Sequence, residues 1–253
     1  MISGCQPHGN LAGAASGFSR GGGGGALSTS HRVASRPGPV RGRAAVVRVA
    51  AGQKYKRNDV EVVRQIGEGS FGIVYQGSLN AAARRKGGGI KGNSGGGDIV
   101  LKRPKLTVEG AAELQEVEAW MNDRVSRDAR GACAEYLGSF RVTSDESYLN
   151  QNEGAGAKEG LWLVWRFEGD RTLAQYMAAP DYPTGLAASL LQRTGTVRGD
   201  PAMELAITQA TMAQLLKNLG TIHRAGLVHR DIKPHNLVLT DKERCFKLID
   251  LGA

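Results

Sequence analysis

Two short polar blocks near the end of the chain restrict its chemistry more than any other part of the 253-residue sequence. The first is residues 229–236 (HRDIKPHN), and the second, residues 250–252 (DLG), begins fourteen positions after the first ends. Acidic and amide side chains with this spacing can place a proton acceptor and a divalent cation next to phosphate groups. The first block therefore predicts a base (Asp231), a charge-balancing amine (Lys233) and a metal ligand (Asn236). The aspartate of the second block is the other predicted metal ligand.

A glycine-rich run, residues 67–74 (GEGSFGIV), lies between two β-rich runs at 61–66 and 73–79. Dinucleotide folds use similar glycines to join a strand to a helix, whereas here a strand joins a strand. Without side chains, backbone N–H groups can lie over the phosphates of a nucleotide. A glycine hairpin with no ligand is the alternative. The predicted nucleotide-binding residues are Ile66, Gly67, Glu68, Gly69, Ser70, Phe71, Gly72, Ile73 and Val74.

Lys102 ends a third short strand, over 99–102. Such a lysine is commonly just solvated, but it could also neutralise a phosphate if a carboxylate held it. The helix predicted next, over 109–126, offers three carboxylates: Glu113, Glu116 and Glu118. We favour Glu118, and the other two stay open.

Hydrophobic periodicity predicts the elements around these motifs. In the helix over 109–126 the predicted apolar stripe is Leu114, Val117, Met121 and Val125. Strands are expected over 134–142 and 161–167 with a surface loop between them, and the Gly/Arg/Lys-rich run 81–97 is expected to be a flexible loop.

The longest predicted helix covers 201–225, with Asp200 as its N-cap, Pro201 in its first position and Gly226 as its C-terminal cap. Its expected buried face is Leu205, Met212, Leu215, Leu216, Leu219 and Ile222. Two short strands follow, over 237–239 and 246–249. Five strands and one helix, followed by mostly helical sequence, predict a two-lobed α+β fold.

The net charge of +9 belongs entirely to the start of the chain. Residues 1–58 hold nine basic side chains and no acidic one, and the rest balances 24 basic with 24 acidic groups. A nucleic-acid binder is therefore not favoured, since the part with core-forming sequence is neutral. Residues 1–52 have the composition of an organelle transit peptide, with a disordered basic tail as the alternative. No run of about 18 apolar residues predicts a membrane span.

Taken together and in order, the glycine run, Lys102 and the two polar blocks resemble the eukaryotic protein kinases. The resemblance runs from about residue 55 to the end of the chain, and it implies an N-lobe over about 55–167 and part of a C-lobe over about 168–253. It implies Mg²⁺ and ATP, with Asp231 as the base that accepts the substrate hydroxyl proton. Lys233 implies Ser/Thr specificity. The adenine would meet the N–H of Glu168 and the carbonyl of Arg166, behind a bulky gatekeeper, Trp165.

Three phrases, at 133–140 (CAEYLGSF), 163–170 (LVWRFEGD) and 120–122 (WMN), resemble the chloroplast thylakoid kinases of plants and green algae. That family implies phosphorylation of antenna or photosystem II core proteins at the stromal face. Only Cys5 precedes the domain, where the state-transition type has a cysteine pair, so the photosystem II core type is the closer relative. Family members often have an N-terminal membrane helix, which has no counterpart in this sequence, so membrane attachment stays open, with peripheral thylakoid association as one possibility. Because the activation segment does not follow Asp250, we expect a truncated chain, and an inactive kinase-like scaffold that binds a nucleotide is the alternative to an active kinase.

Overall fold

The computed structural model of the protein describes residues 54–86, 98–143, 158–193 and 199–251. Within these residues the strands are β1 (Val60–Glu68), β2 (Gly72–Leu79), β3 (Ile99–Pro104), β4 (Tyr136–Val142), β5 (Gly160–Arg166), β6 (Leu237–Leu239) and β7 (Phe246–Leu248). The helices are α1 (Ala81–Lys86), α2 (Ala111–Asp128), α3 (Leu173–Ala178), α4 (Thr184–Leu191) and α5 (Pro201–Arg224). None of the helices in this part of the chain has the length and apolar character needed to cross a bilayer.

The first five strands form one antiparallel sheet in the order β1-β2-β3-β5-β4. Side chains alternate between the two faces of a strand, and β5 shows this clearly. Trp162 and Val164 point into a core that includes Tyr55 and Phe140, whereas Leu163 and Trp165 point to the opposite face.

The same alternation places Lys102 on the face that helix α2 covers. In β3, Ile99 and Leu101 are fully buried in the core on the far side of the sheet. Lys102 lies opposite Leu163 of β5, and both therefore share the α2 face. The alternation of side chains along β3 is thus enough to direct the Lys102 amine towards helix α2.

Helix α2 is present where it was predicted, but its apolar stripe was partly wrong. Val117 is 44% exposed, while Met121 and Val125 are buried as expected. The inward face instead carries three buried polar side chains: Gln115, Glu118 and Asn122. Periodicity of apolar residues cannot find such a face, because the groups that turn inward are polar ones with partners on the sheet.

The predicted flexible loop at 81–97 was also partly wrong. Residues 81–86 form helix α1, whose first turn is held because the Asn80 Oδ1 accepts the N–H of Ala83 at 2.8 Å. Asp98 then anchors the return of the chain by accepting the Leu79 N–H at 3.2 Å and pairing with Arg84, also at 3.2 Å. Residues 87–97 lie outside the described residues, as do most of the loop predicted over 143–160 and all of 1–52.

The helical lobe has its own core, built from α3, α4, α5, the end of α2 and the two-stranded sheet β6-β7. Helix α5 begins as predicted, since the Asp200 carboxylate accepts the N–H of Ala202 at 3.0 Å, and Gly226 has the positive φ of +71° expected after its last turn. Its predicted buried face was half right, because Ile222 is buried and Leu215 and Leu219 pack partly buried against the core of this lobe. Met203, Ile207, Thr211 and Ile222 are buried.

Three residues of the predicted face of α5 are exposed: Leu205 (57%), Met212 (46%) and Leu216 (62%). The helix has two apolar sides. Among the described residues, its neighbours cover the side that carries Met203 and Ile207 and leave the side that carries Leu205 and Leu216 exposed. Side-chain amides of Gln214 and Asn218 hold β7 against α5 by bonding to the backbone of Phe246, at 2.7 and 2.8 Å. Polar contacts therefore decide which side of α5 faces the hairpin.

We expect Asp98→Ala to lower the free energy of unfolding by about 2–3 kcal/mol, because it leaves a buried N–H without an acceptor and removes the carboxylate that pairs with Arg84. Asp98 is only 8% exposed. Urea denaturation measures the change. Asp123→Ala is the control, since its ion pair with Arg127 is exposed and removing it should cost less than about 0.5 kcal/mol. Equal small losses from both variants would contradict the anchoring role.

Candidate active site

The ammonium group of Lys102 lies between two carboxylates that come from different parts of the fold. Its Nζ is 2.8 Å from Glu118 Oε2 on helix α2 and 2.5 Å from Asp250 Oδ1, which follows strand β7. The Glu118 side chain is 7% exposed and that of Asp250 is 37% exposed. One side of the amine is therefore sealed by protein, and the other opens towards solvent.

Burial and charge act on these groups in opposite directions. Burial raises the pKa of Glu118 to about 7, although the neighbouring Lys102 ammonium works to lower it. Burial alone would lower the pKa of Lys102, but the charges of Glu118 and Asp250 outweigh it and hold that pKa above its ordinary value. Lys102 is therefore a fixed cation at neutral pH.

Of the three carboxylates that the sequence offered to Lys102, the structure brings Glu118 to it. Glu116 points to the sheet edge, where it forms an ion pair with Arg141 of β4. Glu113 is exposed in the first turn of α2. Gln115, one turn before Glu118, donates through Nε2 to the carbonyl oxygen of Lys102 at 2.9 Å and ties the helix to β3.

The other predicted catalytic residues form a second cluster on the loop before β6. Asp231 Oδ2 accepts hydrogen bonds from Lys233 Nζ at 2.6 Å and from Asn236 Nδ2 at 2.9 Å. The Lys233 ammonium, helped by the Asn236 amide, lowers the pKa of Asp231. Asp231 is thus an ionised acceptor held in place by two donors.

Backbone contacts join the two clusters. The Ile249 N–H donates to the carbonyl of Asn236 at 3.1 Å, and the Ile249 carbonyl accepts from His229 Nε2 at 2.9 Å. His229 is 1% exposed, and its burial lowers its pKa, so the ring is neutral and carries its proton on Nε2. The position of Asp250 is therefore tied to the loop that carries Asp231.

Asp250 adopts a left-handed backbone, with φ of +64°. This conformation is uncommon outside glycine, and aspartate is one of the residues that tolerate it. Its carboxylate meets Lys102 from that conformation.

The two predicted metal ligands supply the chemistry that Mg²⁺ prefers. Asn236 uses its amide nitrogen on Asp231, which leaves the amide oxygen as the donor for a cation. Asp250 contributes a carboxylate on the open side of Lys102. Hard oxygen ligands of this kind, few in number, suit a Mg²⁺ ion that also binds phosphate oxygens.

The glycine-rich run forms a tight turn between β1 and β2. The Gly69 N–H donates to the Gly72 carbonyl at 2.9 Å. A side chain at Gly72 would place its Cβ 3.1 Å from both Lys102 Cε and the Arg103 carbonyl, so glycine allows the turn to lie close to the amine. Of the predicted nucleotide contacts, Ile66, Gly67 and Glu68 lie in β1, Gly69, Ser70 and Phe71 in the turn, and Gly72, Ile73 and Val74 in β2.

The predicted adenine contacts lie where the chain leaves β5. Arg166 is the last residue of that strand, and its Nε lies 2.6 Å from the carboxylate of Glu135. Glu168 is fixed more extensively: its carboxylate accepts from the Glu135 N–H at 3.0 Å and from Lys247 Nζ at 3.2 Å, and its carbonyl accepts the Asp241 N–H at 3.1 Å. This segment is therefore held by both lobes.

The sequence analysis missed three side chains that hold the site residues in place through hydrogen bonds: Gln115, Asn122 and Lys247. Gln115 and Asn122 bracket Glu118 at helical spacing, so a polar stripe at positions 115, 118 and 122 was a readable signal for an inward polar face. Lys247 offered none, since a lysine in a short strand is usually solvated.

Comparisons with known proteins agree with this geometry. The protein kinase domain family matches residues 176–253. The chain is 39% identical over 214 residues to the chloroplastic serine/threonine-protein kinase STN8 of Arabidopsis thaliana, covering 80% of this chain and 41% of that protein. It is 34% identical over 199 residues to chloroplastic STN7 of the same plant, covering 79% of this chain and 31% of the relative. The chain thus spans less than half the length of these curated relatives.

A solved structure gives the same result for the fold. The crystal structure of a Stt7 homologue from Micromonas algae, soaked with ATP, superposes with a TM-score of 0.63 at 31% identity. The match covers 87% of this chain and 55% of that one. The described residues therefore have the kinase fold, with the sheet lobe and part of the helical lobe, as the sequence predicted. Residues 176–253 thus match the protein kinase domain, and the chain is similar to the chloroplast serine/threonine kinases.

Proposed function

We propose that this protein transfers the γ-phosphate of ATP to serine or threonine hydroxyls of a protein substrate. The observation that carries the proposal is the Lys102 ammonium held between Glu118 and Asp250, because a fixed cation at the mouth of a glycine turn is what triphosphate binding needs. In this role Lys102 neutralises phosphate oxygens, and Glu118 keeps the amine in position. The backbone N–H groups of residues 67–72 lie over the phosphates.

Asn236 and Asp250 would hold Mg²⁺, and the ion would supply positive charge to neutralise the phosphates. The carbonyl of Arg166 and the N–H of Glu168 would bind adenine. Their segment is well suited to this, since contacts from both lobes fix it.

Asp231 accepts the proton of the attacking hydroxyl. Its carboxylate is ionised because Lys233 and Asn236 donate to it, and such a carboxylate orients a nearby hydroxyl and takes its proton. The hydroxyl oxygen then bonds to the γ-phosphorus as the bond between that phosphorus and the β,γ-bridging oxygen breaks, and ADP leaves with that oxygen. Lys233 also balances charge near the transferred phosphoryl group. Positioning and electrostatics supply the rate enhancement, without a covalent intermediate on the protein.

The place of action that we propose is the chloroplast, on the stromal face of the thylakoid membrane, with photosystem II core or antenna proteins as substrates. The similarity to STN8 and STN7 supports the organelle. The thylakoid substrates rest on the resemblance of the three sequence phrases to thylakoid kinases. Residues 1–52 would be the transit peptide, and residues 55–253 the kinase domain. A basic, acid-free leader is consistent with this assignment.

Asp231→Asn is expected to reduce phosphoryl transfer by about 10²–10⁴-fold, because the acceptor of the hydroxyl proton is lost. The affinity for Mg·ATP should stay within about twofold, since Asp231 is not assigned to the nucleotide. Transfer of radiolabelled phosphate to casein measures the first quantity, and calorimetric titration the second. Asp128→Asn, at the exposed end of helix α2, is the control and should keep full activity. Undiminished transfer by Asp231→Asn would refute the assignment.

The free energy of unfolding should depend on pH because burial raises the pKa of Glu118. Its pKa rises from 4.5 towards about 7 on folding, so between these values the folded chain binds one proton that the unfolded chain does not. The stabilising contribution of Glu118 is therefore complete below pH 4.5 and is lost as the pH rises through 7. Relative to Glu118→Gln, the wild-type chain should gain roughly 1 kcal/mol of unfolding free energy per unit as the pH falls through this window. A difference that stays flat in urea denaturation between pH 7.5 and 5 would contradict the shift.

A further inference from the structure

Trp165, the predicted gatekeeper on β5, makes a buried hydrogen bond to helix α2. Its Nε1 donates to Asn122 Oδ1 at 3.0 Å, and both residues are buried, at 9% and 3% exposure. The alternation of β5 directs Trp165 to the α2 face of the sheet, and the indole ring also packs at 5.6 Å against the ring of Tyr136. The donor is thus fixed in direction by the strand that carries it.

The other end of the Asn122 amide reaches the turn that holds Glu118. Asn122 Nδ2 donates to the carbonyl oxygen of Glu118 at 2.9 Å, and the Asn122 carbonyl accepts from Ser126 Oγ at 2.8 Å. One side chain therefore links the indole of β5 to the backbone of Glu118. Because Glu118 and Asn122 are four residues apart, they lie one turn from each other on the same face.

These bonds make the orientation of α2 costly to change. If the helix rotated or moved outward, the Trp165 N–H and Asn122 Oδ1 would lose each other, and leaving buried polar groups without a partner is costly. Gln115 makes the corresponding bond on the other side of Glu118, to the carbonyl of Lys102. Glu118 is therefore bracketed by two polar contacts, one turn on each side.

We propose that Trp165 is a positioning residue: its indole N–H, through Asn122, holds helix α2 in the register in which Glu118 meets Lys102. This inference rests on the proposed function, in which that ion pair orients Lys102 towards ATP. Trp165 acts through the helix and does not itself contact the phosphates. Trp165, which lies behind the predicted adenine site, thus helps to keep Glu118 next to Lys102.

The strand offers a matched control. Trp162 lies three residues earlier in β5, on the opposite face, and is 1% exposed. Its Nε1 also donates to a carbonyl, that of Lys158, at 2.8 Å, in a segment away from helix α2. Trp162→Phe therefore removes an indole donor and ring volume from the same strand without touching the helix.

Calorimetric titration of Mg·ATP into the full chain and its variants tests the proposal through a double-mutant cycle. Trp165→Phe should weaken binding by about three- to tenfold in the wild-type background and by less than about twofold in the Glu118→Gln background. Trp162→Phe should lower the unfolding temperature and leave Mg·ATP affinity within about twofold. Asn122→Leu, which removes the acceptor with little change in volume, gives the same cycle from the helix side if Trp165→Phe does not fold.

The possible failures are distinguishable. If Glu118→Gln weakens binding but Trp165→Phe costs as much in that background as in the wild type, Trp165 does not act through Glu118 and the inference is wrong. If Trp162→Phe lost as much affinity, the effect of Trp165→Phe would reflect a general loss of stability, and the inference would be wrong. If Glu118→Gln leaves Mg·ATP affinity unchanged, the proposed role of the ion pair falls first, and the inference falls with it.

Discussion

A buried or half-buried ion must be paired, and in this protein that requirement brings three distant parts of the chain to one point. The Lys102 ammonium comes from the middle of the sheet, Glu118 from the helix that covers it, and Asp250 from the end of the small hairpin. If helix α2 or the hairpin moved away, Lys102 would lose one of its two carboxylate partners. The relation of the sheet, helix α2 and the hairpin is thus fixed by the same contacts that are proposed to bind the nucleotide.

Around this triad the protein uses neutral hydrogen bonds to hold the charged groups in place. Gln115 and Asn122 fix helix α2 on either side of Glu118, and the backbone of Ile249 connects the Asp250 segment to the Asp231 loop. Such bonds add modest net stability but are costly to break when buried, so they define geometry more than they add free energy. A site that must hold a cation towards a triphosphate gains from this rigidity, since preorganised charges need no rearrangement during reaction.

The kinase fold and the charged residues that meet could be predicted from the sequence because they are carried by local signals. The polar blocks, the glycine run and the strand alternation that directs Lys102 are all of this kind. The buried faces of helices α2 and α5 could not be predicted from the sequence, and the reason is the same for both. In α2 the inward groups are polar and have partners far away in the sequence, and in α5 two apolar sides compete, so that Leu205 and Leu216 stay exposed among the described residues. Only tertiary contacts decide either case.

The central claim is that Lys102 holds the triphosphate, and calorimetric titration of Mg·ATP into Lys102→Met tests it most directly. The variant should still fold, because Glu118 is already protonated in part near pH 7 and can become neutral when its partner is removed. We predict at least about a tenfold loss of affinity for Lys102→Met and no change for Lys217→Met on the exposed side of helix α5. Wild-type affinity in a folded Lys102→Met chain would contradict the account.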